Sequence, residues 1–416
     1  MKKTRWQRLI LALTLPLLLL SVQSCLGTQT QYQKKAQGTH GAIQVNTTPK
    51  AYFKGDIYLT LDNNLYMLDA QKNLHQLTHG LTVEDPAVSP DGKTIAFVNR
   101  YTDYSDLDVI PSTGGTPKIL LNGQGKYATN SSGYTYSTYH WFEQPSWAAN
   151  GKSLLLLSDI QKADWSAATL GIDDYLLDLQ LFSVPYPKTS INAMKAVAYA
   201  TYGDGGLRDP SYRPGHPDQA IYTSYSYDLT GTKQVVQINT VNTNAIQQDL
   251  NAHPNDPTYH PGTVGDQYDP SVALTPPTPN LINMQPAISP DGNTLLYLRD
   301  LSSTETGIYS MPIVNGVTDV SNPNDPAIQK KGISNYNKSQ QLLHGTYLSY
   351  PTWSPDGAQI IYYAYNNGYF DLWLADLIQD PQTHTYSLKA GSEIQLTNTH
   401  GDLNANSAPV WVNAGT

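Results

Sequence analysis

An all-β chain, folded as a six-bladed β-propeller of four-stranded antiparallel blades and closed by its C-terminal strand, is what this sequence predicts. Three observations carry the prediction. A strand–turn–strand unit recurs along the 416 residues. The composition favours short strands and turns, with 30 Tyr, 30 Gly and 28 Pro against 5 Phe. The folded part opens on strands that lack a first partner, and it ends on a single strand that could supply one.

The recurring unit is clearest at residues 350–365, "YPTWSPDGAQIIYYAY". It returns as "DPAVSPDGKTIAFVNR" at 85–100 and as "QPAISPDGNTLLYLRD" at 285–300. Weaker copies are "QPSWAANGKSLLLLSD" at 144–159 and "DPSYRPGHPDQAIYTSY" at 209–225. The anchor prolines are Pro86, Pro145, Pro210, Pro286, Pro351 and Pro409. Their spacing is too long for a helical solenoid repeat and leaves room for several strands per copy. In "SPDG" the Ser suits the first place of a type I turn, Pro presets the next φ, Asp tolerates the third and Gly takes the left-handed place. Flanking β-branched and aromatic residues make the unit a hairpin. "DLDVIPS" and "PKILL" then supply a third and fourth strand in the first copy, as "FDLWLADL" and "EIQLTN" do in the fifth.

A lone sheet of this kind leaves a face exposed. Radial packing lets each sheet cover the next. "DIYLTLDNNLYMLDAQKNLHQLT" at 56–78 reads as later strands of a repeat without its first, and "APVWV" at 408–412 reads as that first strand. Joined, they complete a sixth blade. The repeat "PxWSPDGxxIxYxS" followed by "LYMLDxxxxxxxQLT" resembles the TolB-type β-propeller repeat over residues 50–416. TolB proteins also carry a separate N-terminal α/β domain. Only a short stretch separates Cys25 from the first strand here, so the resemblance implies the propeller without that domain.

The start reads as an export leader. Lys2, Lys3, Arg5 and Arg8 precede the apolar run Leu9–Leu20, which is short for a membrane span. Val22-Gln23-Ser24-Cys25 resembles a bacterial lipobox, which implies cleavage before Cys25 and lipidation of its thiol. Cys25 is the sole cysteine, so no internal disulfide exists. The expected organisation is a leader at 1–24, a flexible tether at 25–49 and a propeller at 50–416. The expected place is the cell envelope, with a lipid anchor in a membrane. Loss of residues 1–24 takes four of the 25 basic residues and no acidic one, so the net charge moves from −9 to −13. An acidic body repels polyanions, which argues against nucleic acid as a partner.

Numbering the strands of a blade outward from the axis, the "SPDG" turn joins first to second. Connections from second to third, and from fourth to the next first, must share the opposite face. Residues 122–143 and 251–283 read as fourth-to-first insertions and 159–173 as a second-to-third one, while 318–338 leaves by the turn side. Long loops on one rim of a rigid scaffold are where binding resides. The first insertion gathers Tyr127, Tyr134, Tyr136, Tyr139, His140 and Trp141. Such rings suit sugar stacking or protein contact, and they equally suit packing the loop onto its own blade. Asp85, Gln144, Asp209, Gln285, Tyr350 and Ala408 precede the anchor prolines and should ring the channel mouth. They could hold a cation, a sugar or a partner's tail, or tie neighbouring blades together.

No nucleophile–base set is visible. Asp91, Asp291 and Asp356 are turn residues. With one cysteine, no "HExxH" and no "GxSxG", no metal, cofactor or hydrolase elbow is expected. The leading expectation is a scaffold for an envelope protein or glycan. The alternative is a metal-assisted, lyase-like enzyme acting on polysaccharide, and it needs at least three of His140, His216, His253 and His260 to converge.

Overall fold

The computed structural model describes residues 31–129, 131, 133, 135–160, 178–200, 205–228, 230–254, 269–383 and 385–414. The leader, Cys25, Tyr134 and His260 lie outside them.

The chain is an all-β propeller built of four-stranded antiparallel blades. Each repeat supplies an inner strand: Val83–Val88, Phe142–Trp147, Leu207–Arg213, Asn283–Ile288, Ser349–Trp353 and Val410–Val412. The expected turn chemistry is present. Ser89, Ser289 and Ser354 each donate their hydroxyl to the Asp two residues on, at 2.5–2.7 Å. The same hydroxyls accept the amides of Thr94, Thr294 and Gln359 at 2.9–3.0 Å. Gly92, Gly292 and Gly357 take φ of 70°, 74° and 70°, the region glycine enters at little cost. Asp91, Asp291 and Asp356 thus sit in turns. Their carboxyls are held below the usual range, Asp91 and Asp356 chiefly by the serine bond and Asp291 by serine and backbone bonds that outweigh its burial.

Closure follows the expectation. Val410–Val412 runs antiparallel to Asp56–Leu61, with Ile57 opposite Trp411. Trp411 also donates its indole N–H to the Lys54 carbonyl at 2.7 Å and meets Phe53 edge to face at 5.9 Å. Lys72 lies over the Phe53 ring, its amine 3.5 Å from the ring centroid. The Lys72 Nζ is buried without a hydrogen-bond partner, and burial pushes its pKa down to about 7.

The expected count of six needs correction. Among the described residues, sheets of three or more strands number seven. Six contain the inner strands above. The seventh pairs Tyr32–Gln37 with Ala42–Asn46, and the latter with Thr397–Asn398. Residues 32–46 were expected to be free tether. Instead Ile43 and Val45 are fully buried beside Leu59, Leu61 and Leu396. The hairpin turn is locked by the buried Asp402, which binds the His40 amide at 3.0 Å and the His40 ring at 2.7 Å.

One insertion also needs correction. The fourth strand of the third blade is Val272–Ala273. The long segment after Gln234–Asn242 therefore joins third to fourth strand and leaves by the turn side, where its first turns form the helix Ala245–Ala252. A second helix, Pro326–Gly332, lies in the other third-to-fourth insertion and covers Ala273, whose amide meets Gln329 at 3.4 Å. It shields a two-residue edge that would otherwise expose unpaired backbone. We call the side with the "SPDG" turns the turn face, and the opposite side the insertion face.

The degenerate third repeat is mended by Arg213, which is 1% exposed. It stands where other repeats have the turn serine. Its guanidinium reaches into the next blade, to Gly292 O at 2.7 Å and Asn315 Oδ1 at 2.7 Å. Charge-assisted bonds to neutral acceptors keep such a burial tolerable.

Candidate functional site

The inner strands enclose an axial channel of about 850 Å³ lined by all six anchor prolines. The residue before each of the first five prolines is left-handed: Asp85, Gln144, Asp209, Gln285 and Tyr350 have φ of 48° to 55°. Each sits in a register shift of its strand pair. These are β-bulges, which re-aim a side chain at the cost of local backbone strain.

The re-aimed groups form a relay around the mouth. The Gln144 backbone N–H faces the Asp85 carboxylate and favours its charged form. Gln144 Oε1 accepts the Asp209 amide at 2.6 Å. The Gln285 amide donates to Thr223 Oγ1 at 3.1 Å, and the Thr223 hydroxyl in turn donates to the Asp209 carboxylate at 2.9 Å. Gln285 Oε1 accepts the Tyr350 amide at 2.6 Å. The circle is completed by neighbours of Ala408: Tyr350 donates its hydroxyl to Asn406 O at 3.0 Å, and the Asp85 amide donates to Ser407 Oγ at 2.8 Å. These residues tie blade to blade, with Gln144 and Gln285 each capping the next blade's backbone amide.

The relay leaves one loose end. Asp85 is 9% exposed, and its Oδ1 has no hydrogen-bond partner. Burial holds its pKa well above the usual carboxylate range, and the charges of Glu143, Glu84 and Asp209 add to the effect. Burial raises Asp209 as well. Further out, Arg100 bridges Glu84 and Glu143 at 3.0 Å each.

The first insertion forms a small hairpin, Tyr127–Thr129 against Thr135–Ser137. Tyr136 lies in its second strand. Tyr139 stacks on Tyr104 with centroids 5.8 Å apart, and Tyr104 stacks on Tyr101 at 4.4 Å. Tyr127 meets Tyr139 edge-on at 5.6 Å. Trp141 lies under the Arg100 guanidinium at 4.7 Å, and its amide donates to Asp159 at 2.9 Å. His140 faces the same carboxylate at 3.8 Å. Tyr127, Tyr139, His140 and Trp141 therefore split between two uses. Tyr127 and Tyr139 extend a tyrosine ladder, whereas His140 and Trp141 seat the loop on its blade.

Sequence reasoning missed Tyr101 and Tyr104, which belong to the short second-to-third loop of the first blade. It also missed Tyr347 and Tyr365, which meet edge-on at 5.9 Å on the fifth blade. Nine large apolar side chains are exposed among the described residues. Six of them, Tyr101, Tyr127, Tyr227, Leu301, Tyr347 and Tyr365, lie on the insertion face, with exposures of 38% to 63%.

The histidines separate. His140 is on the insertion face, while His216 begins a second strand on the turn face and His253 ends the helix Ala245–Ala252 there. No group of three or more His, Cys, Asp or Glu placed to hold a metal occurs among the described residues. No helix among them is long and apolar enough to cross a membrane.

No family model and no curated protein matches the chain. Among solved structures, TolB from Acinetobacter baumannii aligns with a TM-score of 0.50 at 16% identity, covering 85% of this chain. The chain spans 66% of that protein's length. An oligogalacturonate lyase in complex with manganese aligns at TM-score 0.42 and 13% identity, covering 85% of this chain and 82% of its own. Hydrazine synthase from Kuenenia stuttgartiensis aligns at TM-score 0.43 and 11% identity, covering 83% and 97%. Of the three, only the TolB likeness bears on the fold. The chain has a TolB-like β-propeller.

Proposed function

We propose that this chain is an exported, lipid-anchored propeller of the cell envelope that binds a protein or glycan partner through its insertion face. The observation that supports it most is the gathering of exposed tyrosines on that face. Tyrosine gives large contact area with few torsions to freeze, and its hydroxyl tolerates water when the site is empty. The ladder from Tyr101 to Tyr127 and the pair Tyr347–Tyr365 are separated patches on a rigid rim, which suits an extended partner. Apart from Asp85 Oδ1, the channel-mouth side chains spend their hydrogen bonds between blades, which supports assigning the binding role to the rim.

The test is capture from solubilised envelopes by the intact chain and by a chain whose 127–141 loop is replaced with a short Gly-Ser turn. A second variant, Tyr101→Ala with Tyr104→Ala, leaves the loop in place. One identified protein, or one glycan on an array, retained by the intact chain and lost by both variants supports the reading. Equal capture by all three forms removes it.

A further inference from the structure

The N-terminal hairpin fixes which way the propeller faces. Tyr32–Gln37 runs toward the insertion face and Ala42–Asn46 returns, so the chain enters the hairpin at the turn face. Gln31 O accepts the Thr47 amide at 2.9 Å there, and the Tyr32 hydroxyl reaches Gln395 O at 3.3 Å. Whatever precedes residue 31 departs from the turn side. Six residues of extended chain reach about 20 Å, less than a propeller's width, so a lipid on Cys25 would hold the turn face close to its membrane.

The distribution of lysine agrees with this seating. Thirteen lysines outside the hairpin are exposed among the described residues. Eleven stand on the turn face, in the first-to-second turns, the third-to-fourth connections and the segment at 49–54. Lys54, Lys93, Lys152, Lys188, Lys331 and Lys389 mark its circumference. Only Lys126 and Lys233 stand on the insertion face. The turn face carries acidic residues in about equal number, and local hydrogen bonds keep several of them ionised, so its charge is near balance. Asp91, Asp291 and Asp356 close their turns, Asp325 caps a helix through the Ala327 amide at 2.7 Å, and Asp380 accepts two amides of its own loop. The insertion face instead carries Glu84, Asp85, Glu143 and Asp209 around its mouth.

We propose that the turn face lies against an anionic lipid surface and that the tyrosine-bearing insertion face is presented away from it. This rests on the reading of an exported, anchored chain. Each lysine brought to an anionic membrane strengthens binding roughly five-fold, while carboxylates at the surface oppose it. Among the described residues the turn face is near charge balance, while the insertion face holds far more carboxylates than basic residues, so an anionic surface repels the turn face less and favours one orientation over its reverse.

The test uses the full chain, purified from envelopes and reconstituted into vesicles of phosphatidylglycerol and phosphatidylethanolamine with nitroxide-labelled headgroups. A fluorophore is placed at Lys152→Cys on the turn face or at Tyr227→Cys on the insertion face. Cys25 is common to both, so any label on it contributes equally. Quenching several-fold stronger at position 152 is expected. Charge reversal at Lys330→Glu, Lys331→Glu and Lys338→Glu should bring the two positions closer together. Equal quenching, stronger quenching at 227, or a ratio indifferent to the reversal overturns the seating. Flotation with phosphatidylcholine vesicles reads the anchor separately. A chain that floats there but shows equal quenching keeps the anchor and loses the orientation. A chain that floats with neither vesicle loses both.

Discussion

Gln285→Ala isolates one link of the channel-mouth relay. Gln285 Oε1 accepts the Tyr350 amide at 2.6 Å. Truncation leaves that amide in a crowded inner strand with no acceptor, and the loss of a buried partner costs about 1–3 kcal/mol. The backbone at 285 has φ of 51°. Alanine and glutamine bear similar strain there, so the difference reports the bond rather than the conformation. For a chain of this size the unfolding entropy is about 0.8 kcal/mol per kelvin, so the expected fall in Tm is roughly 1–4 °C. Urea unfolding gives the free energy directly, and Gln382→Ala on an exposed loop is the control. Gln144→Ala should cost as much, because it frees the Asp209 amide from a 2.6 Å bond. The two links join different pairs of blades. The double variant should therefore lose the sum of the two within about 0.5 kcal/mol. A Gln285→Ala protein as stable as the Gln382→Ala control would refute the relay as a stabilising device.

Three further outcomes follow from buried groups and from closure. Lys72 has a pKa of about 7 when folded, below an ordinary lysine, so the unfolded chain holds the proton between that value and about 10.4 and stability rises with pH across the window. Lys72→Met should stabilise the protein by up to roughly 4 kcal/mol at pH 6 and much less near pH 10, read by urea unfolding at both. Asp108, with Oδ1 unpartnered, has its pKa pushed up to about 6 by burial and then by Asp106. Stability from this group is lost as pH rises from about 4 through 6, so Asp108→Asn should gain about 1–3 kcal/mol at pH 7.5 and nothing at pH 4. Deletion of 409–416 uncovers the edge of Asp56–Leu61 and removes Trp411 from Phe53. Size-exclusion chromatography should then show association in place of a single sharp species.

The repeats made the blades legible because each copy writes its own turn: Ser, Pro, Asp and Gly are all needed in succession. Closure was legible because 56–78 lacks a first strand and 408–412 lacks the others. The seventh sheet was not. "YQKKAQ" is polar with only partly buried positions, and the third strand of its sheet comes from the opposite end of the chain. The relay was half legible. Asp, Gln or Tyr before the first five anchor prolines is visible in sequence, but the partners of Gln144 and Gln285 are backbone amides in the next repeat. The 251–283 insertion was misplaced because a two-residue strand, Val272–Ala273, carries no pattern of its own. The tyrosine ladder escaped for a similar reason, since Tyr101 and Tyr139 come together only when two loops share a face.

The strand that completes the sixth blade is made after every other strand of the propeller. A chain synthesised from its N-terminus has Asp56–Leu61 in hand early and must wait for nearly everything else before Val410–Val412 arrives. Until then the ring is one inner strand short and one edge stays open. The same wait applies at the neighbouring sheet, where Ala42–Asn46 needs Thr397–Asn398. Both fastenings use residues made after every other blade, so assembly of the ring has a single deciding moment. A chain delivered through a membrane in extended form would reach the far side before that moment and complete its circle there.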